Sequence, residues 1–269
     1  MRNRIGAERI LATTAAFVVV AALTVCLPAG PAAAIIGGQV DGTRHPYVGT
    51  LDASAMGRPD GPTGVLISPT VLLTAGHVTR DWARRGLQAR VTFEPVRATA
   101  TTWYTGTVHT NPSFDPQRAD DPGDLGVVVF DTPVIGITPA ALPSAGLLDD
   151  LGTKGLARTS FEVVGYGVSE FLGGSNGGGT PHPNRASAGT RKVAQQTFKS
   201  LTRAWLQLQQ HVDGQICTGD SGAPSLFAGS DVIAGITVGA LGPCRNTVWD
   251  QRIDTTAARA FLGSYVTLP

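Results

Sequence analysis

After residue 34 the apolar residues come in short runs, each closed by glycine, proline or a polar turn. Residues 64–67 and 71–74 flank Ser68-Pro69-Thr70, and residues 223–228 and 232–238 flank Gly229-Ser230-Asp231. Residues 91–93, 102–108, 125–130, 161–167, 191–198 and 203–209 carry similar strand-like runs, with Leu206-Gln207-Leu208-Gln209 alternating cleanly. Runs of this length predict strands, and a polar turn between two of them predicts a hairpin. A single helix-periodic stretch, 257–265, follows a cap in Asp254-Thr255-Thr256. Many strands and one late helix make the chain all-β. Residues 131–150, rich in proline and small side chains, read as the connection between two halves, and the glycine run 173–179 as a flexible surface loop.

The first 34 residues carry a different message. Arg2, Arg4 and Arg9 precede an apolar run over 10–27, and the segment ends in small residues at Ala32-Ala33-Ala34. This is the pattern of a secretory signal peptide cut at an A-x-A site. Residues 35–145 and 146–269 are then expected as two halves of the mature protein. Removing Arg2, Arg4, Arg9 and Glu8 from 21 basic and 20 acidic residues leaves 18 and 19. A balance so close to neutral points away from nucleic acid and from charged membrane surfaces. With Cys26 in the signal, Cys217 and Cys244 remain, and two cysteines in a secreted protein most simply form one disulfide. No His/Cys cluster has metal-ligand spacing, so no metal and no cofactor are expected. A secreted, extracellular monomer, without stable membrane association once the signal is removed, is the expected form.

Three motifs carry chemistry. Gly219-Asp220-Ser221-Gly222 places a serine between residues that permit a sharp turn, and N–H groups of a glycine and the serine would converge there on one point. Thr74-Ala75-Gly76-His77 sets a histidine at the end of a strand. Asp124 alone of the acids at 115, 120, 121 and 124 directly enters an apolar run, and so is held at the rim of a core strand. A serine nucleophile needs a base to take its proton, and the base needs a carboxylate to fix its tautomer. His77, Asp124 and Ser221 supply all three. With Ile35-Ile36-Gly37-Gly38 as a fourth motif, the sequence from residue 35 onward resembles the trypsin/chymotrypsin-like serine protease family.

The resemblance implies two six-stranded antiparallel β-barrels with a C-terminal helix, the site lying between them. It implies secreted serine endopeptidase activity on protein or peptide substrates, with an oxyanion hole at the Gly219 and Ser221 N–H groups. It also implies that a new N-terminus at Ile35 pairs its ammonium with Asp220. A buried acid beside the nucleophile needs a cation in any case. The primary specificity pocket would involve Gln215, Ile216, Gly239 and Ala240. Gln215 is neutral where enzymes that cut after Arg or Lys usually carry Asp. There are departures. Pro62 and Val78 stand where a disulfide usually staples the histidine loop, and the usual Ser-Trp-Gly of the pocket wall is replaced within residues 235–244. Either Thr237 or Val238 takes the place of its serine. These departures leave an alternative: a protease-like fold used as a non-catalytic binding module.

Overall fold

The computed structural model describes residues 35–173, 180–242 and 244–269. The expected signal segment, most of the expected glycine loop and Pro243 of the expected pocket wall lie outside the described residues.

Six strands form the first barrel: β1 (Val48–Leu51), β2 (Thr63–Ser68), β3 (Val71–Thr74), β4 (Ala89–Thr92), β5 (Tyr104–Thr110) and β6 (Gly126–Phe130). All pairings are antiparallel, and the order β1-β2-β3-β6-β5-β4 closes on itself. The second barrel contains β7 (Ser160–Gly165), β8 (Lys192–Leu201), β9 (Trp205–Gln209), β10 (Pro224–Phe227), β11 (Ile233–Ala240) and β12 (Thr247–Arg252). Its order is β8-β9-β12-β11-β10-β7, and β7 returns to β8. Closure removes the free sheet edges that short strands would otherwise expose. Leu72, Leu73, Val91, Val127 and Val128 are buried in the first barrel, and Phe161, Val163, Leu206, Leu208 and Val248 in the second.

Two helices depart from the sequence expectation. Strand β3 stops at Thr74, and His77 sits in the first turn of helix α1 (Gly76–Arg84) rather than on a strand end. Val78 and Trp82 bury one face of this helix against the first barrel. The expected connection 131–150 ends in helix α2 (Leu147–Leu156), whose Leu148 and Leu156 enter the second core. Gly152, at φ +61° and ψ 172°, breaks its periodicity. The expected closing helix is present as α3 (Thr256–Leu262), with the Thr255 side chain accepting the Ala258 N–H.

The first and last described segments exchange barrels. Gln39–Val40 pairs with β8 of the second barrel, and Ile35 is fully buried in that barrel's core. At the other end, Phe261 and Tyr265 pack toward His109 of the first. Arg191, 1% exposed, reaches between the barrels. Its guanidinium donates to Asp41 Oδ2, to the Gly42 carbonyl, and to the carbonyls of Val48 and Phe93.

Candidate active site

The histidine is placed by a close approach that only glycine permits. A Cβ on Gly76 would stand 2.8 Å from the Leu125 carbonyl oxygen and 3.1 Å from Asp124 Oδ1. Without it, the start of α1 settles directly on the Asp124 carboxylate. The His77 backbone N–H donates to Asp124 Oδ1 at 2.7 Å, and His77 Nδ1 lies 2.9 Å from Oδ2. The carboxylate therefore satisfies one of the unpaired N–H groups at a helix N-terminus while it orients the imidazole. Asp124 is 4% exposed and the imidazole is half-buried, so Nε2 is left to the cleft. From the second barrel, Gln251 Oε1 accepts the Asp124 N–H at 3.1 Å. The spare acids expected in the loop stand apart from the histidine; Asp120, for instance, pairs with Arg203 at 2.8 Å.

The serine loop is pinned to the first barrel through Thr63, a residue sequence reasoning missed. Its N–H donates to the Ser221 carbonyl at 3.0 Å and its hydroxyl to the Gly219 carbonyl at 2.9 Å. The same hydroxyl accepts the Tyr166 N–H, and Thr74 donates its hydroxyl to the Thr63 carbonyl. Gly219 and Gly222 have φ of +96° and +88°. A Cβ on Gly222 would collide with the Thr63 carbonyl and the Thr74 hydroxyl. Both glycines thus answer to left-handed backbone and to contact at once.

With the loop so bent, the N–H groups of Gly219 and Ser221 donate to no acceptor among the described residues, whereas those of Asp220, Gly222 and Ala223 are all used internally. His77, Gly219 and Ser221 line one cleft of about 530 Å³. Ser221 Oγ makes no hydrogen bond to His77 in this structure.

Asp220 points away from the cleft and is fully buried. Its Oδ1 accepts the Gly167 N–H at 2.8 Å and its Oδ2 the Cys217 N–H at 3.0 Å. Side chains at Gly165 or Gly167 would overlap this carboxyl, which explains both glycines of Gly165-Tyr166-Gly167, where the chain leaves β7. Burial pushes the Asp220 pKa up to about 7, against the two N–H donors and the charge of Lys192. It has no salt bridge among the described residues. Close by, Ile36 and Gln215 exchange backbone hydrogen bonds of 3.1 and 2.9 Å, so the chain from Ile35 is stitched to the segment leading into the serine loop. The Ile35 carbonyl accepts from Lys192 Nζ at 3.2 Å.

Gly239 and Ala240 line the cleft, as does the disulfide joining Cys217 to Cys244. Gln215 and Ile216 are outside its lining. Gln215 is engaged by Ile36, and Ile216 is 1% exposed in the second core with its N–H on Gln210. The neutral Gln215 thus offers no charge to this cleft. Pro62 and Val78, the staple positions, both line the cleft instead. The choice between Thr237 and Val238 resolves against any hydroxyl on Asp124. Val238 has none, and Thr237 donates its hydroxyl to Asp250 Oδ1 at 2.9 Å. Asp250 also accepts from Ser225 Oγ at 2.6 Å, and its burial raises its pKa to about 7.

The family model described as Trypsin matches residues 35–256. The chain belongs to the trypsin family. Its fold is shared with HL collagenase (18% identity, TM-score 0.61, 82% of this chain and 94% of the other). A scabies mite inactivated protease paralogue is similarly related (16%, TM-score 0.61, 82% and 93%). So is a point mutant of human heparin binding protein (18%, TM-score 0.63, 86% and 96%). No curated protein matches the sequence. Members of the trypsin family act on protein substrates, though these neighbours include proteins named for inactivity or for heparin binding. Among the described residues no helix is long and apolar enough to cross a membrane, and no acid, histidine or cysteine group is arranged to hold a metal ion.

Proposed function

We propose that this trypsin-family chain is a secreted serine endopeptidase, monomeric after signal removal, with His77, Asp124 and Ser221 as its catalytic residues. The observation that carries the reading is the His77–Asp124 pair at 2.9 Å, with His77 in one cleft with Ser221 and Gly219, whose N–H groups meet no acceptor among the described residues. Ser221 Oγ attacks the scissile carbonyl carbon while His77 Nε2 takes its proton. The Gly219 and Ser221 N–H groups receive the negative oxygen of the tetrahedral intermediate. His77 returns the proton to the leaving amine, leaving an acyl ester on Ser221. Water, deprotonated by His77, then hydrolyses the ester and restores the serine. Asp124 stays ionised and stabilises the imidazolium in both halves. Nothing in this cycle requires a cofactor.

Maturation belongs to the same reading. Cleavage after Ala34 frees an ammonium on Ile35, a residue already buried beside the segment that leads to Asp220. That cation pairs with the buried carboxylate and holds the oxyanion loop. Turnover of casein, abolished by a serine-directed inhibitor, together with N-terminal sequencing of the secreted protein, tests both parts. A mature start far from Ile35, or full activity with one extra residue before it, would rule out the ion pair.

A second reading, a binding module, is favoured by one observation: Ser221 Oγ and His77 are not hydrogen-bonded. Absence of casein turnover by correctly processed protein would select it. Such bonds often tighten only when substrate is bound.

A further inference from the structure

Helix α1 begins at the general base and runs on along the cleft. Positions three, four and seven residues beyond His77 share its face of the helix. They are Arg80, Asp81 and Arg84, and all three line the cleft. Arg58, from the loop between β1 and β2, lines it too. The facing wall, from Cys217 to Ser221 and from Gly239 to Cys244, contributes no charged side chain to the lining.

The positive charge of the first wall is not cancelled locally. Asp81 is bound to the exposed Arg85 at 3.2 Å, so that its charge is already matched. Asp60 takes both Arg58, at 2.9 Å, and Arg185, at 2.7 Å, so one buried carboxylate faces two guanidiniums. The Arg80 guanidinium lies 4.6 Å from the centre of the Phe114 ring, which positions the group without neutralising it. Arg84 has no carboxylate partner among the described residues. Guanidiniums held this way offer paired donors to a carboxylate.

We propose that this wall selects substrates with acidic side chains on the leaving-group side of the scissile bond. The inference rests on the endopeptidase reading for its direction: His77 hands its proton to the leaving amine, so the residues after the scissile bond run past His77 along α1. A helix rises about 1.5 Å per residue, which sets Arg80 about 4.5 Å and Arg84 about 10 Å beyond His77 along the axis. An extended substrate advances about 3.3 Å per residue. The second and third residues after the cut therefore meet Arg80 and Arg84.

The test compares two quenched-fluorescent peptides that differ only in Glu or Gln at those two positions. At low ionic strength the Glu peptide should show a kcat/KM about fivefold higher. The ratio should fall toward one at roughly 0.5 M salt, where screening acts within a few Å. It should also fall toward one in Arg80→Gln/Arg84→Gln and be largely kept in Arg80→Lys/Arg84→Lys. Being a ratio within each protein, it is independent of the fraction that folds. Equal turnover of both peptides by the native enzyme overturns the charge selection and leaves the endopeptidase standing. Fluorescence anisotropy of the same peptides on Ser221→Ala needs no turnover. Tighter binding of the Glu peptide there, with no cleavage by the native protein, keeps the selection and removes the enzyme. Retention on immobilised heparin that the Gln variant loses, with the two peptides treated alike, assigns the wall to a sulphated polysaccharide and overturns the proposal.

Discussion

On the second-barrel side the cleft is made of backbone: glycines at positive φ, the Gly219 and Ser221 N–H groups that meet no acceptor among the described residues, and a disulfide across Cys217 and Cys244. On the first-barrel side it is made mostly of side chains projecting from one helix, His77 among them, joined by Arg58 and Pro62. The second wall depends on conformation, so what disturbs it is bulk, redox state or the charge of Asp220. The first depends on which groups the helix carries, so single side chains can be exchanged with little cost to the fold. In the proposed mechanism the reaction needs one contribution from each.

The sharpest way to break the comparison is to remove the atoms that meet across the cleft. Ser221→Ala and His77→Ala should each lower casein turnover on the order of 10⁶-fold, because such groups act as a unit. Asp124→Asn should cost on the order of 10⁴-fold through the wrong imidazole tautomer. A harmless Asp124→Asn beside a crippling Asp121→Asn would show that the wrong acid has been assigned.

Next come changes to the conformational wall. Gly222→Ala brings a methyl into the Thr63 carbonyl at positive φ, and should cost upwards of about 4 kcal/mol in urea unfolding, or prevent folding. Opening the disulfide by Cys217→Ser/Cys244→Ser releases a loop with a separation of 27 residues. The expected loss is about 3–4 kcal/mol in the chain-entropy model, with activity failing first as the wall loosens. By contrast Arg84→Gln, on the helical wall, should change unfolding free energy by no more than about 0.5 kcal/mol. A larger effect would mean that the two walls are not separable in this way.

A subtler distinction comes from Asp220. With Ile35 still joined to the residues before it, the Asp220 pKa is about 7 in the fold, against about 3.9 when unfolded. A carboxyl raised by folding favours the folded state in its protonated form. Its contribution is fully present below about pH 4 and is lost as pH rises through about 7. Protein carrying extra residues before Ile35 should therefore lose Tm across that window. Protein starting at Ile35 supplies an ammonium and should lose less. Asp250 is raised to the same value but is common to both forms, so the difference between their curves isolates Asp220. Parallel curves would separate Ile35 from Asp220 energetically.

Much of this arrangement was legible because local chemistry and tertiary position coincide. The runs at 71–74 and 125–130 are apolar because they lie in the first barrel, and Gly76, Gly219 and Gly222 answer backbone contacts that no other residue tolerates. Helix α1 was hidden because Val78 and Trp82 are the only large apolar side chains on its buried face, beside Gly76 and Thr79, while its other face follows the polar cleft. Helix α2 was hidden by Gly152 and Gly155, which interrupt its period. Thr63 gave no signal: a threonine within a strand reads alike whether its hydroxyl meets solvent or fastens the Ser221 loop. Nor could spacing alone show that Thr237 serves Asp250, since a register shift in β11 between Thr237 and Gly239 decides where each side chain faces.

The crossed segments, 35–40 and α3, bear on how the molecule can be taken apart. Each barrel carries a segment that flanks the strands of the other, and Arg191 bolts the two through carbonyls of the first. A nick in the connection after Phe130 would leave one fragment holding Ile35 in its neighbour's core and Gln39–Val40 on its neighbour's sheet, and the other holding α3 against its neighbour's flank. The pieces are mutual clasps, so a nicked molecule should stay assembled and should come apart only when both barrels unfold together.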